Sequence, residues 1–396
     1  MTGRRDRSLS VGLLWHAINS GNLGVGALTV SNIAVAREAA ASLGLSPRFT
    51  VMGFVDRNAP VYVAGDDIRS LPINGRALLP GGAFARALAG VDCVLDIGAG
   101  DSFTDIYGRK RFSYLWTTKV MAVLARKPLL LSPQTIGPFS RQPETALAAW
   151  AMNRAEAVIA RDPLSFDVAR GMSPRARVIE AVDVAFALPF EPRLKSGGGL
   201  DIGLNISGLL FNGGYSGSNE FGMQVDYASY TRALISAFSA RTDVRIHLIC
   251  HVNAPDMPQD DDGRVADRLA EEFPKVIRAP TFTSPSEAKS YISGLDFLVA
   301  GRMHACIAAY SSGVSVVPVA YSRKFAGLFD GVLGYPHLVP VSGLSTDEAV
   351  AFTLDRLDRR EELRAEIVEG SKRIEARLDL YREELRRLFD RVARPA

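Results

Sequence analysis

The chain has 396 residues, 47% of them hydrophobic and 22% charged, with 46 basic against 43 acidic side chains. That composition excludes a disordered chain, and the length exceeds what one simple core holds, so two domains are expected. A net charge of +3 is too small to point to a nucleic-acid surface, and no apolar run is long enough to cross a bilayer.

The N-terminal stretch MTGRRDRSLSVGLLW reads as a short flexible tail running into a first strand. Its apolar part, Val11–Trp15, is too short for a signal peptide. Short Val-, Ile- and Leu-rich runs then alternate with helical patterns. The expected strands are Ser10–Trp15, Arg48–Val55, Cys93–Ile97, Pro128–Ser132, Ala157–Ala160 and Val178–Ala181, followed by Asp201–Ile206, Arg245–Cys250, Phe297–Ala300 and Ser315–Val319. Helices such as Thr29–Leu43 and Tyr227–Ala240 fall between them. This alternation predicts an α/β protein with parallel sheets. Cys93, Cys250 and Cys306 sit in apolar runs, odd in number and with no CxxC pair. They read as small core residues of a reducing compartment.

Pro189–Leu200, PFEPRLKSGGGL, is the expected boundary, since prolines, charges and three glycines favour an irregular connection. It divides the chain into Rossmann-like domains over 1–190 and 199–345. A helical tail over 346–396 follows, with Ile374, Leu378, Tyr381, Leu385 and Leu388 on one face, and it is expected to pack across the domain junction.

Ligands of open parallel sheets bind beyond the carboxyl ends of the strands, so the residues leaving each strand are the candidates. They are Asn22 after the first strand, Asp101, Ser102 and Asp105 after Cys93–Ile97, Gln134 and Thr135 after Pro128–Ser132, and Arg161 after Ala157–Ala160. In the second half they are His251, then Arg302 and His304, then Ser322, Arg323 and Lys324. An Arg-x-His step and a Ser-Arg-Lys step at successive strand–helix junctions suggest an anionic ligand, because helix N-termini already favour anions. Each residue also has a plainer reading. Arg302 fits a surface ion pair, His304 fits a helix-start residue, and Asp162 before Pro163 fits an N-cap. Gly98 and Gly100 are expected at positive φ. The acidic run Asp256 to Asp262 reads as a solvated loop and not as a metal site. Nucleotide-binding fingerprints and the GxSxG elbow are missing.

The segments GNLGVGALT, DIGAGDSFTDIYG, LLLSPQTIGPF, AVIARDPLS, VIEAVDVAFAL, GLNISGLL and FLVAGRMHACIAAYSSGVSVVPVAYSRKF, in this order from Val11 to Gly334, resemble the polysaccharide pyruvyl transferase family. Val25 stands where many members have Asp after Gly-Asn-x-Gly. The resemblance implies two Rossmann-like domains facing across a cleft, as in the B-type glycosyltransferase architecture. It implies transfer of the pyruvyl group of phosphoenolpyruvate to two hydroxyls of a cell-surface polysaccharide sugar or its precursor, giving a ketal and phosphate. The family's catalytic positions map onto Arg161, His304 and Lys324. Arg161 is expected to grip one anionic group, with Arg302 and Lys324 on the other. His304 is expected to protonate the enol, its pKa raised from ~6.5 by nearby anions. Asp101, Asp105 and Gln134 are expected to orient the sugar. The co-substrate is phosphoenolpyruvate, with no cofactor and no metal. The acceptor is a sugar or a lipid-linked saccharide, and the expected place is the cytoplasm, with peripheral contact at the inner membrane face left open. A nucleotide-sugar glycosyltransferase, or a binding protein that has lost its chemistry, stand as alternatives.

Overall fold

The computed structural model describes residues 7–195 and 197–394; the tail expected before the first strand lies largely outside them. Two all-parallel sheets organise the chain. The first contains β1 (Arg7–Leu14), β2 (Leu45–Gly53), β3 (Ile68–Pro72), β4 (Cys93–Asp96), β5 (Leu129–Gln134), β6 (Ala157–Ala160) and β7 (Val178–Glu180). Its spatial order is β3-β2-β1-β4-β5-β6-β7. The second contains β8 (Leu200–Asn205), β9 (Val244–Ile249), β10 (Ile277–Arg278), β11 (Phe297–Ala300), β12 (Ser315–Ala320) and β13 (Val339–Pro340), in the order β10-β9-β8-β11-β12-β13. In each sheet the order reverses beside the first strand, between β1 and β4 and between β8 and β11. These are the two switch points where a doubly wound sheet opens a crevice.

The central strands are buried on both faces, which is why they read as unbroken apolar runs. β4, β6 and β11 are buried at every position. Cys93, Cys250 and Cys306 are free and buried, as their apolar surroundings suggest. β3, β10 and β13 were not expected from the sequence. Each is an edge strand of five residues or fewer with exposed positions, so none carries a clear apolar pattern.

The C-terminal stretch forms two helices, Thr346–Asp358 and Arg360–Ala393. The longer one buries Leu363, Ile367, Ile374, Leu378, Tyr381, Leu385, Leu388 and Phe389. At roughly 1.5–3 kcal/mol for each large apolar side chain, that stripe explains how a helix so rich in Arg and Glu stays docked. Its first half lies against the second sheet's side. Ser315 Oγ donates to the Arg360 carbonyl, Arg373 donates to the Leu333 carbonyl, and Gly370 meets Tyr310 so closely that a Cβ would stand 1.7 Å from the hydroxyl. Its second half lies against the first sheet's side. There the Tyr381 hydroxyl bonds Asn32 Oδ1 at 2.6 Å and Ser132 Oγ at 2.9 Å, and Glu384 receives a two-pronged contact from Arg177. Among the described residues no helix is long and apolar enough to cross a membrane.

A candidate active site at the cleft between the sheets

The loops leaving β1 and β9 touch directly. Leu23 N donates to the His251 carbonyl at 3.0 Å, and Asn253 N donates to the Gly21 carbonyl at 2.8 Å. Beside this seam, groups from both sheets converge. His304 lies in the first turn of the helix Met303–Ser311 that follows β11. Arg161 leaves β6, Asp183 follows β7, Asp101 follows β4 and Lys324 follows β12.

Arg161 is held in place by two contacts. Its Nη1 donates to Asp183 Oδ2 at 2.6 Å and its Nε donates to Thr135 Oγ1 at 2.9 Å. Thr135 is placed for this by the register shift in β5 between Leu131 and Gln134, a bulge that re-aims the end of the strand. Asp183 also accepts the Ala185 N–H at 2.9 Å, capping the short 3-10 turn Val184–Ala187. Its Oδ2 stands 3.8 Å from His304 Nε2, an atom that is buried and has no hydrogen-bond partner. The other ring nitrogen faces Gly24. A Cβ on Gly24 would stand 2.4 Å from His304 Nδ1, so the glycine-rich segment after β1 is required by a histidine from the opposite sheet. Asn22 caps the helix Leu23–Ser42 by accepting the Gly24 N–H. Across the cleft Lys324 pairs with Asp101, whose Oδ2 also accepts from the Tyr107 hydroxyl at 2.9 Å.

The electrostatics follow from this packing. Burial lowers the His304 pKa below the usual imidazole value. Asp183 and Asp101 oppose that, and Arg161 and Lys324 add to it. The expectation that neighbouring anions raise this pKa is therefore corrected for the ligand-free chain, because burial and two cations outweigh two carboxylates. Asp101 is held below the usual carboxylate range: burial pushes it up, but Lys324, Arg161 and the Tyr107 hydroxyl outweigh burial.

Arg161, His304, Lys324 and Asp101 are thus brought together, with Ser322 and Arg323 beside them on the turn before Lys324. Arg323 is exposed and unpaired among the described residues. Other expected ligand residues are committed elsewhere. The Arg302 guanidinium is engaged by two acids. Its Nη2 donates to Asp260 Oδ1 at 2.7 Å and to Asp262 Oδ1 at 2.6 Å, and also to the Asp260 carbonyl at 2.8 Å. Burial works against its charge, but the two acids hold its pKa above the ordinary arginine value. Of the acidic run, Asp256 is exposed as a solvated loop residue would be, but Asp260, Asp261 and Asp262 are buried. Asp262 is fully buried and accepts the N–H groups of Gly208, His251 and Val252, and Asp261 caps the helix Asp262–Glu272. His251 is buried beneath the seam, and its pKa falls to about 3 through burial first, then the charges of His304 and Arg302. Asp105 accepts the N–H groups of Ser140 and Arg141 at 2.7 and 2.8 Å, tying two loops together. Ser102 is buried and receives Arg111 at 2.6 Å. Gln134 is also buried and donates to the carbonyls of Asp96 and Ser132. These three brace the loops under the site, and Gln134 keeps its buried Oε1 without a partner. Asp162 caps its helix through Ser165 N, and Gly98 and Gly100 have φ of 54° and 86°.

Asp183 was missed in the sequence. The available signal was an acid at the end of the apolar run VIEAVDVAFAL, one that also fits a turn cap. A cavity of about 260 Å³ opens elsewhere, between the helices Leu23–Ser42 and Arg360–Ala393. Its charged rim is already paired, Arg382 with Glu38 and Glu375.

Comparison with known proteins agrees with this geometry. The model of the family described as polysaccharide pyruvyl transferase matches residues 36–323. The chain is 21% identical over 301 residues to the amylovoran biosynthesis protein AmsJ of Erwinia amylovora, covering 72% of this chain and 70% of that one. Among solved structures it is similar to UDP-GlcNAc 2-epimerase of Neisseria meningitidis bound to UDP-GlcNAc, with TM-score 0.57, 10% identity and coverage of 96% and 99%. It is also similar to HepE of Anabaena in complex with UDP, with TM-score 0.54, 13% identity and coverage of 95% and 98%. At these identities the likeness establishes the fold alone, two Rossmann-like domains of the B-type glycosyltransferase architecture. The chain belongs to the polysaccharide pyruvyl transferase family.

Proposed function

We propose that this member of the polysaccharide pyruvyl transferase family moves the pyruvyl group of phosphoenolpyruvate onto two hydroxyls of a sugar. The observation that carries the proposal is the meeting of Arg161 and Lys324 around an unpartnered, buried His304 Nε2. Phosphoenolpyruvate carries a carboxylate and a phosphate. Arg161 retains guanidinium donors beyond those given to Asp183 and Thr135, and Lys324 becomes available when the donor displaces Asp101. Arg323 adds a third positive charge at the mouth.

The anionic donor raises the His304 pKa by the same rule by which Arg161 and Lys324 lower it. The imidazolium then protonates the methylene carbon of the enol, and C2 becomes electrophilic. A sugar hydroxyl attacks C2 and gives a proton back to His304. The C2–O bond to phosphate breaks, and a second hydroxyl closes the ketal. Of the two hydroxyl protons, one balances the new methyl group and one leaves on hydrogen phosphate. Asp183, 3.8 Å from Nε2, orients and stabilises the charged ring.

The test is release of inorganic phosphate that requires both phosphoenolpyruvate and a saccharide acceptor. His304→Ala is expected to lower turnover by roughly 10²–10⁴, the usual contribution of a general acid, while phosphoenolpyruvate still raises the melting temperature. Stabilisation by uridine diphosphate and not by phosphoenolpyruvate would replace this reading with nucleotide-sugar glycosyl transfer.

A further inference from the structure

The loop that leaves β8 and its short following helix, residues 212–226, is built in unusual detail for an exposed segment. Glu220 folds back so that Oε2 accepts Tyr215 N and Oε1 accepts Ser216 N, both at 2.9 Å. The Asn219 side chain brackets Met223, accepting its N–H at 2.9 Å and donating to its carbonyl at 2.8 Å. Phe221 packs on Tyr321 with ring centroids 4.9 Å apart, and Tyr321 packs on Phe325 at 5.3 Å. Those two residues flank Ser322, Arg323 and Lys324, so the loop is fastened to the turn that carries Lys324. All of this framework presents Tyr215, which is 61% exposed.

On the opposite sheet Tyr107 is 44% exposed. It is fixed at its hydroxyl by Asp101 at 2.9 Å and along its ring by the Arg111 guanidinium at 5.1 Å from the centroid. Tyr107 follows β4 and Tyr215 follows β8, so each belongs to the switch point of its own sheet, where ligands of such sheets lie. Both tyrosines feel the same carboxylate. The pKa of Tyr107 is raised by burial and then by Asp101, and that of Tyr215 by burial, then Asp260, with Asp101 contributing.

We infer that Tyr107 and Tyr215 form the acceptor subsite and bind one pyranose ring of the saccharide between the two sheets. A pyranose has an apolar face of ring C–H groups and a polar rim. A tyrosine covers such a face with a large, rigid surface at small entropic cost and keeps a hydroxyl for the rim. Asp101, between the two tyrosines and the Arg161–His304 pair, accepts from the hydroxyls nearest the reacting carbon once the donor has drawn Lys324 away from it. This inference rests on the pyruvyl-transfer reading for the identity of the reaction, and on the two tyrosines for the place of the sugar.

Saturation-transfer NMR on the full chain tests it, with methyl β-galactopyranoside, methyl β-glucopyranoside and methyl α-mannopyranoside as probes. The ring C–H signals of at least one glycoside are expected to receive saturation. Tyr215→Ala is expected to weaken that binding about tenfold, Tyr215→Phe to restore it, and phosphoenolpyruvate stabilisation to stay unchanged in both. Absence of transfer to all three glycosides, or equal affinity in wild type and Tyr215→Ala, overturns the subsite. If phosphate release from phosphoenolpyruvate persists while Tyr215→Ala leaves glycoside binding unchanged, the subsite fails alone. If the glycoside binds through Tyr215 but no phosphate is released with any acceptor, the subsite stands and the pyruvyl reading fails.

Discussion

Arg302 and Arg161 leave the carboxyl ends of strands in opposite sheets and are equally buried, each 9% exposed. Arg302 is met by two carboxylates and a carbonyl, Arg161 by one carboxylate and a hydroxyl. Two acids on one arginine leave the Arg302 neighbourhood with surplus negative charge and its guanidinium already occupied. One acid and one hydroxyl on Arg161 leave part of its guanidinium without a side-chain acceptor. Residue type and burial do not separate the two arginines; the number of acids that meet each does.

The sharpest way to break this comparison is Arg302→Met. It leaves two buried acids without their cation, although Asp262 keeps the N–H groups of Gly208, His251 and Val252, and losing one side of a buried ion pair costs about 3–5 kcal/mol. Arg161→Met strands only Asp183, which keeps the Ala185 N–H. Urea unfolding is expected to show the larger loss for Arg302→Met, and donor binding the larger loss for Arg161→Met. Equal stability losses would erase the distinction.

Acid sharpens it next. The folded His251 has a pKa of about 3 against ~6.5 when unfolded. As pH falls below 6.5 the unfolded chain takes up a proton that the folded chain refuses, so this contribution to stability is lost on acidification. Between pH 7 and pH 5 that is about 2 kcal/mol. His251→Gln is expected to lessen the acid sensitivity of urea unfolding by that amount. His304→Gln is also expected to lessen it, because burial, with Arg161 and Lys324, lowers that pKa against Asp183 and Asp101. An unchanged pH slope in His251→Gln would count against burial as the cause of its low pKa.

The smallest effect concerns Lys324. Its pair with Asp101 is about one-third exposed on both sides and is worth little in itself, about 1 kcal/mol at most. Asp101→Asn frees the ammonium for the donor and is expected to tighten phosphoenolpyruvate binding up to about fivefold by calorimetry. Weaker binding would mean that Asp101 positions Lys324 and does not compete with the donor.

The sequence was legible where a residue's environment is local. Ala157–Ala160 and Phe297–Ala300 are strands with the expected bounds, because a central parallel strand is apolar at every position. Arg161, His304 and Lys324 were visible because strand ends in this architecture face the crevice. Asp105, Ser102 and Gln134 follow strands just as Asp101 does. What separates them is that their partners come from the same half of the chain, Ser140 and Arg141 for Asp105, Arg111 for Ser102 and the Asp96 carbonyl for Gln134, whereas Asp101 meets Lys324 from the other half. Asp260 and Asp262 read as a solvated run because the arginine that draws them inward lies forty residues on. Tyr215 carried no signal because its loop is shaped by Glu220 and Asn219, whose side chains fold back only once the turn exists.

The helix Arg360–Ala393 is a single rod of 34 residues, about 51 Å long, riveted to one sheet near Gly370 and to the other near Tyr381. A rod fixed at two points resists sliding of one half over the other and leaves rotation as the soft motion. A parting of the two halves at the Gly21–Asn253 seam would therefore turn about this shaft.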